Sequence, residues 1–225
     1  MEVSLTAKYT DGQYVSVDGL QNQERLKDLG DFGVDTDERK KRELIRRGKQ
    51  DLPIEDVNTL SRQSSDLTLH EAFFLTSALG VLEVLDEDNR KLDISACWEK
   101  FRKFNSRNNS PLDFALEYGV YFYFKTRGWV VKSGENYGVD FLLYDQGISS
   151  GHSQYAVAII ESVDHVLKTT WKQLLSKHRV VQSVNKKFLA AIVSPCQECL
   201  SRQDCVEKMR ITVRSFTGNV AIHDL

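Results

Sequence analysis

GWVVKSGENYGVDFLLYDQGISSGHSQY, residues 128–155, carries the reading on which the rest of the chain depends. Residues 129–132 and 138–144 are rich in Val, Leu, Phe and Tyr, and a Ser-Gly-Glu-Asn turn signal separates them, so the stretch predicts two strands. A glycine-framed loop then brings His152 to the start of a third apolar run. A loop held between strands is a usual place for chemistry, because the scaffold is rigid while the loop side chains stay accessible.

Tyr144 closes the second run and His152 follows in the loop. A phenol with an ordinary pKa near ~10 and an imidazole near ~6.5 form an acid/base pair when a fixed ammonium stands beside an anionic substrate. Phosphodiester cleavage calls for that set. One group takes the ribose 2′-OH proton, another protonates the departing 5′-oxygen, and a cation offsets the charge building on the phosphate oxygens. A strand-end aromatic beside an ordinary loop histidine is the plainer alternative for the same two residues.

The string WVVKSGENYGVDFLLY, His152 in the loop after it, the following SQYAVAI and the later RVVQSVNKKFLAAIV together resemble the catalytic domain of the tRNA-splicing endonuclease family. The resemblance implies a metal-free ribonuclease triad. Its tyrosine ends the YGxDFLxY strand, its histidine lies in the next loop and its lysine in an SVxK segment, which are Tyr144, His152 and Lys186 here. It further implies that Arg179 helps hold a flipped-out bulge nucleotide of the RNA. LxxLGxFG at residues 26–33, LTLHEAFFL and CWEKF are similar to the subunit of that family that cuts the 5′ splice site. That subunit carries a basic, Trp-containing segment near its C-terminus, whereas this chain ends SFTGNVAIHDL, so the second bulge-gripping aromatic has no counterpart to assign.

Downstream of the loop, residues 155–161 alternate as a strand, and TWKQ at 170–173 is a box-like helix start. Trp171, Leu174, Leu175 and His178 are expected along the buried stripe of that helix, which makes His178 a packing residue. Arg179 and Lys186 are seven positions apart, so a helix running that far would turn both cations toward one groove. Lys187 competes for the lysine role, but one step of rotation points it elsewhere, and SVNK matches SVxK at Lys186. Residues 188–193 and 209–216 read as strands, with a turn at 217–219 leading to a last short one. Between them, Cys196-x-x-Cys199 with Cys205 offers half of a zinc site. No fourth ligand is near in sequence, and a reduced, mobile loop is the expectation adopted.

Upstream, Ser110, Pro111 and Asp113 are expected at N-cap, N1 and N3 of a helix through FALEYGVYFYFKTR that stops at Gly128. Its aromatic stripe, Phe114, Tyr118, Tyr121 and Phe122, reads as core packing before base stacking. Lys125 and Arg127 are expected to complement its C-terminus. Thr68 and Glu71 form a capping box that opens LHEAFFLTSALGVLEVL, read as one helix with Ala72, Phe73, Leu75, Ala78, Leu79 and Leu82 inward and His70 on the surface. Residues 94–104 predict another helix, with Trp98 and Phe101 packed and Cys97 a buried thiol. RKKRELIRRGK at 39–49 is a solvated basic helix face, an RNA contact or a nuclear import signal.

With 225 residues the chain has room for a substantial core, and its 41% hydrophobic and 28% charged content is that of a soluble globular protein. No apolar run reaches the ~20 residues of a membrane span, and MEVSLTAKYTDG lacks signal-peptide features, so no membrane association and an intracellular setting are expected, and the family resemblance implies the nucleus. The net charge of −2 does not mark a free-standing nucleic-acid binder and suits a subunit whose partners share the electrostatic footprint. There is no phosphate-loop, HExxH or GxSxG motif. Asp140 and Glu161 on adjacent strands suggest a metal-dependent carboxylate nuclease, but the lysine such sites place two residues after the glutamate is Val163 here.

These readings converge on an α/β (α+β) chain. A mixed, partly helical N-terminal region covers residues 1–105, and a C-terminal mixed sheet flanked by helices covers 106–225 and carries the site. The family resemblance implies cleavage of intron-containing precursor tRNA without cofactor or metal, inside a hetero-oligomer of four homologous subunits, two catalytic and two structural. The rival reading is a non-catalytic scaffold that keeps the fold only to assemble.

Overall fold

The computed structural model describes residues 5–10, 12–40, 64–107, 112–145, 151–195, 205–216 and 222–224. The chain divides into two compact units, Met1–Phe104 and Asn105–Leu225.

In the first unit, β1 (Leu5–Tyr9), β2 (Tyr14–Asp18), α1 (Leu20–Asp28), β3 (Val34–Asp35), β4 (Ser64–Thr68), α2 (Leu69–Ser77), β5 (Leu82–Leu85) and α3 (Ile94–Arg107) follow in order. The strands form a sheet in the order β3-β4-β2-β1-β5, with β1 parallel to β5 and the remaining pairs antiparallel. The capping box at α2 is present in full: the Thr68 hydroxyl accepts from the Glu71 amide, and Glu71 accepts from the Thr68 amide at 2.9 Å. The same buried carboxylate accepts from the Gly33 amide at 3.2 Å, so one glutamate serves both the helix start and a neighbouring loop.

The helix is shorter than the sequence pattern predicts. It ends at Ser77, and Gly80, at φ +64°, turns the chain so that Leu82 enters β5 instead of a helical stripe. Ala78 is exposed as a result. Only glycine adopts that left-handed conformation at no steric cost, and the apolar period alone does not reveal it. Phe73 packs against Trp98 and Phe101 at centroid distances of 5.1 and 6.4 Å. Cys97 is fully buried beside them in α3, as expected, and burial pushes its thiol up to about 12. Arg39, at the start of the basic run, is engaged internally: its Nε lies 2.6 Å from Asp66 and its guanidinium covers the Tyr14 ring. Residues 41–49 lie outside the described residues.

The second unit contains α4 (Phe114–Lys125), β6 (Val130–Ser133), a 3-10 turn (Glu135–Tyr137), β7 (Phe141–Tyr144), β8 (Tyr155–Val163), β9 (Val166–Leu167), α5 (Trp171–Ser183), β10 (Lys187–Ser194), α6 (Cys205–Lys208), β11 (Arg210–Phe216) and β12 (Ile222–Asp224). Its mixed sheet runs β12-β11-β10-β8-β7-β6, with β9 added to the end of β8. Among the described residues only the β8–β10 pair of this sheet is parallel, and α5 makes the crossover between those strands. One sheet face, through Leu142, Ala156, Ala158, Phe188 and Ala190, packs with Leu174 and Val181 of α5. The other carries Phe141, whose ring meets Tyr121 of α4 at 6.1 Å.

The aromatic stripe of α4 is therefore core, with Phe114, Tyr118 and Tyr121 each at most 3% exposed. Its cap differs from expectation. Asp113 is the N-cap, its Oδ1 accepting from the Ala115 amide at 2.9 Å, and the helix opens at Phe114. A carboxylate on an extended residue directly ahead of the helix satisfies an orphan amide, so the start falls three residues after the predicted N1. Ser110 and Pro111 lie outside the described residues. At the other end Arg127 donates to the Tyr123 carbonyl at 3.0 Å, the C-terminal role predicted for it.

The capping box of α5 is present, formed by Thr170 and Gln173. His178 is buried edge-on against Phe216 at 4.9 Å. Trp171 departs from the predicted stripe: it is 48% exposed and touches only the rim of the core through Phe216.

Candidate active site

Register brings the quoted stretch and the SVNK segment to one end of the sheet. Leu143 of β7 pairs with Tyr155 of β8, and Tyr155 pairs with Lys187 of β10. Just beyond these pairs, the Gln154 amide donates to the Leu143 carbonyl at 3.0 Å, and the Lys187 amide donates to the Gln154 carbonyl at 3.0 Å. The C-terminal end of β7 and the N-terminal ends of β8 and β10 are thereby stitched together. Tyr144, His152 and Lys186 each lie within three residues of this seam. Neighbouring strands stand ~4.8 Å apart, so the backbones carrying Tyr144 and Lys186 are separated by roughly 10 Å.

Tyr144 is half-buried, and its side chain shares the α5 side of the sheet with Leu142, packed against that cluster. His152 is exposed in the loop. Lys186 is half-buried, and its Nζ donates to the Ser153 carbonyl at 3.1 Å, which ties the ammonium to the residue that follows His152. Burial lowers the pKa of Lys186 from its usual range. Ser153 is itself buried, and among the described residues its hydroxyl has no hydrogen-bond partner.

Arg179 is not brought to Lys186 by the route predicted. Helix α5 ends at Ser183, Asn185 adopts φ +55°, and the Lys186 amide returns to the Val181 carbonyl at 3.2 Å. The helical period is broken before residue 186, so the shared-azimuth expectation fails. Arg179 stays exposed on the helix, and among the described residues no bond joins it to Tyr144, His152 or Lys186. Lys187 opens β10, and its ammonium lies 5.5 Å over the Tyr155 ring, away from the Ser153 carbonyl.

The carboxylates of the rival reading are apart. Asp140 Oδ2 accepts from the Ile159 amide at 2.7 Å, near Lys177, while Glu161 pairs with Lys168 at 3.0 Å. The Ile159 amide that the Asp140 carboxylate caps lies two residues along β8 from Glu161, about 7 Å of strand, and the two carboxylates are engaged by different lysines. Burial raises the Asp140 carboxyl pKa, against the Lys177 charge and the Ile159 amide bond that lower it, and this fits a strand brace. Among the described residues no three His, Cys, Asp or Glu side chains stand close enough to hold a metal ion. The side chains of Cys196, Cys199 and Cys205 lie outside the described residues.

The sequence reading missed Tyr137 and Ser153 as neighbours of Lys186, both of which belong to strings it quotes. The Lys186 ammonium lies 5.4 Å above the centroid of the Tyr137 ring. The only local signal was the Tyr-Gly turn pair, which reads as punctuation until the fold places residue 186 over it.

This geometry is that of a compact α+β unit with polar groups at one sheet end. Residues 114–199 match the family model of the tRNA intron endonuclease catalytic C-terminal domain. It is 34% identical over 155 residues, 64% of this chain, to tRNA-splicing endonuclease subunit Sen2 of Rattus norvegicus. It is 29% identical over 165 residues, 71% of this chain, to the probable Sen2 subunit of Oryza sativa subsp. japonica. It is 28% identical over 184 residues, 81% of this chain, to subunit SEN2 of Saccharomyces cerevisiae. The matches span 32%, 54% and 45% of those three relatives, so the chain corresponds to about half of their length or less. Among the described residues no helix is long and apolar enough to cross a membrane.

Proposed function

We propose that the chain is a catalytic subunit of a tRNA-splicing endonuclease that cuts intron-containing precursor tRNA, at the 5′ splice site. The observation that carries this reading is the bond between Lys186 Nζ and the Ser153 carbonyl, which places a cation directly beside the loop of His152 at the end of the strand that Tyr144 closes. Tyr144 takes the proton of the ribose 2′-OH, and the 2′-oxygen attacks the adjacent phosphorus. The P–O5′ bond breaks, and His152 protonates the departing 5′-oxygen. Lys186 offsets the charge on the non-bridging oxygens as the transition state forms. The products are a 2′,3′-cyclic phosphate and a 5′-OH, with no cofactor and no metal in the scheme.

Arg179, exposed on α5, is assigned to RNA binding, with homologous subunits supplying the remaining contacts. Such an assembly, two catalytic and two structural subunits in the nucleus joined partly by strand pairing at a sheet edge, accounts for a nuclease subunit whose net charge is −2. The Sen2-like N-terminal strings LTLHEAFFL and CWEKF support the 5′ site. The test is cleavage of intron-bearing precursor tRNA in EDTA by the chain purified with its native partners. Cutting at the 5′ junction with cyclic-phosphate ends is expected, and intact RNA, or a requirement for divalent metal, contradicts the proposal.

A further inference from the structure

We propose that Tyr137 is a positioning residue for Lys186, its ring face acting as a neutral counterpart that holds the ammonium at the sheet end without cancelling its charge. The proposal rests on the assignment of Lys186 given above. Two contacts define the ammonium: the Ser153 carbonyl at 3.1 Å and the Tyr137 ring at 5.4 Å from its centroid, inside the ~6 Å range of a cation–π contact. Both partners are uncharged. Among the described residues no carboxylate pairs with Lys186.

Partial burial disfavours the charged form of a lysine and lowers its pKa from the usual range, and a carbonyl acceptor with a ring face works against that cost. A carboxylate provides the largest such contact, but it also neutralises the field that the lysine offers to a phosphate. An aromatic face and a carbonyl dipole stabilise the cation and leave its net charge available. Lys168 shows the alternative arrangement, paired with Glu161 and so committed to structure.

The chain fixes the Tyr137 ring by two devices. Its backbone amide closes the 3-10 turn on the Gly134 carbonyl at 2.9 Å, and Gly138 at φ +67° sends the chain back toward β7. A Cβ on Gly134 would lie 2.5 Å from Val139 Cγ2 and 2.9 Å from the Val139 carbonyl, so the turn is drawn tight enough to exclude any larger residue. Tyr137 is then half-buried against the core cluster that includes Val139, Leu142 and Leu174. A side chain held at both backbone and ring presents a fixed platform, and Lys186, just past the left-handed Asn185, is delivered onto it.

The test is a fluorination series. The full chain, in the assembly that cleaves precursor tRNA, carries Phe, then mono-, di- and pentafluorophenylalanine, at position 137. Fluorine withdraws charge from the ring face with little change of shape. Relative to Tyr137→Phe, kcat is expected to fall stepwise to about tenfold at pentafluorophenylalanine, with KM within about twofold. In a Lys186→Ala background the series is expected to be flat. Rates independent of fluorination overturn the proposal, since a packing role does not respond to ring charge.

A readout independent of activity accompanies the series: in isotope-labelled chain, the ε-methylene protons of Lys186 are shifted upfield by the ring and lose that shift in Tyr137→Leu. If Lys186→Ala cleaves normally, the active-site assignment fails, and with it the catalytic purpose of the pairing. The absence of any upfield shift overturns the pairing itself.

Discussion

The Lys186 ammonium donates to the carbonyl of Ser153 at 3.1 Å, across 33 residues of sequence, and so joins the loop of His152 to the start of β10. The two lysines at the entrance to this strand have separate fates: Lys186, just before it, turns to the loop, and Lys187, its first residue, lies over the Tyr155 ring. Lys186→Ala is expected to lower the single-turnover cleavage rate by roughly 10²- to 10³-fold, because a preorganised charge is lost from the transition state. Lys187→Ala is expected to stay within about twofold of the parent. Parallel rate measurements on the two variants check the assignment.

His152 is exposed, and among the described residues its side chain carries no structural bond. His152→Ala is therefore expected to leave the melting temperature within about 2 °C, since surface changes fall within about 0.5 kcal/mol. Cleavage is expected to drop by roughly 10²- to 10⁴-fold while affinity for precursor tRNA is kept. Thermal melts and filter-binding on the same preparations separate the chemical effect from the structural one.

Asp140 braces β8 through the Ile159 amide at 2.7 Å. Asp140→Asn keeps an acceptor there and removes a partly buried charge, so it is expected to be tolerated. Asp140→Ala leaves the amide unmatched and is expected to cost about 1–3 kcal/mol in denaturant unfolding. Cleavage by Asp140→Asn in EDTA at close to the parental rate is expected from a brace and not from a metal ligand.

His178 is buried between Phe188 and Phe216, and burial lowers its pKa while a hydrogen bond with the Phe216 backbone opposes the shift. The folded state therefore takes up its proton later than the unfolded chain as the medium is acidified. The contribution is complete above about pH 6.5 and is lost as the pH falls below that value toward the folded pKa. His178→Phe is expected to flatten this part of the melting temperature–pH curve.

Elements written in short side-chain codes were legible in the sequence. The capping boxes at Thr68 and Thr170, the strands flanking the turn at residues 134–138, and the inward faces of Trp98, Tyr121 and His178 all follow from local pattern. Backbone events were not. The helix stop at Gly80, the cap at Asp113 and the left-handed Asn185 that ends the path from Arg179 to Lys186 depend on single φ/ψ choices that hydrophobic period does not encode. Convergence of the candidate site was readable only as far as resemblance supplied it. Which strands are neighbours, and so which residues meet Lys186, is a property of register, and Tyr137 gave no sign of it at a distance of 49 residues.

Replacing the bridging 5′-oxygen of the scissile linkage with sulfur gives the most direct test that these side chains act on one phosphodiester, because a thiolate departs without being protonated. His152→Ala is predicted to cleave that substrate at close to the parental rate while remaining impaired on the oxygen parent. An equal defect on both substrates would contradict the role given to His152 and the account built on it.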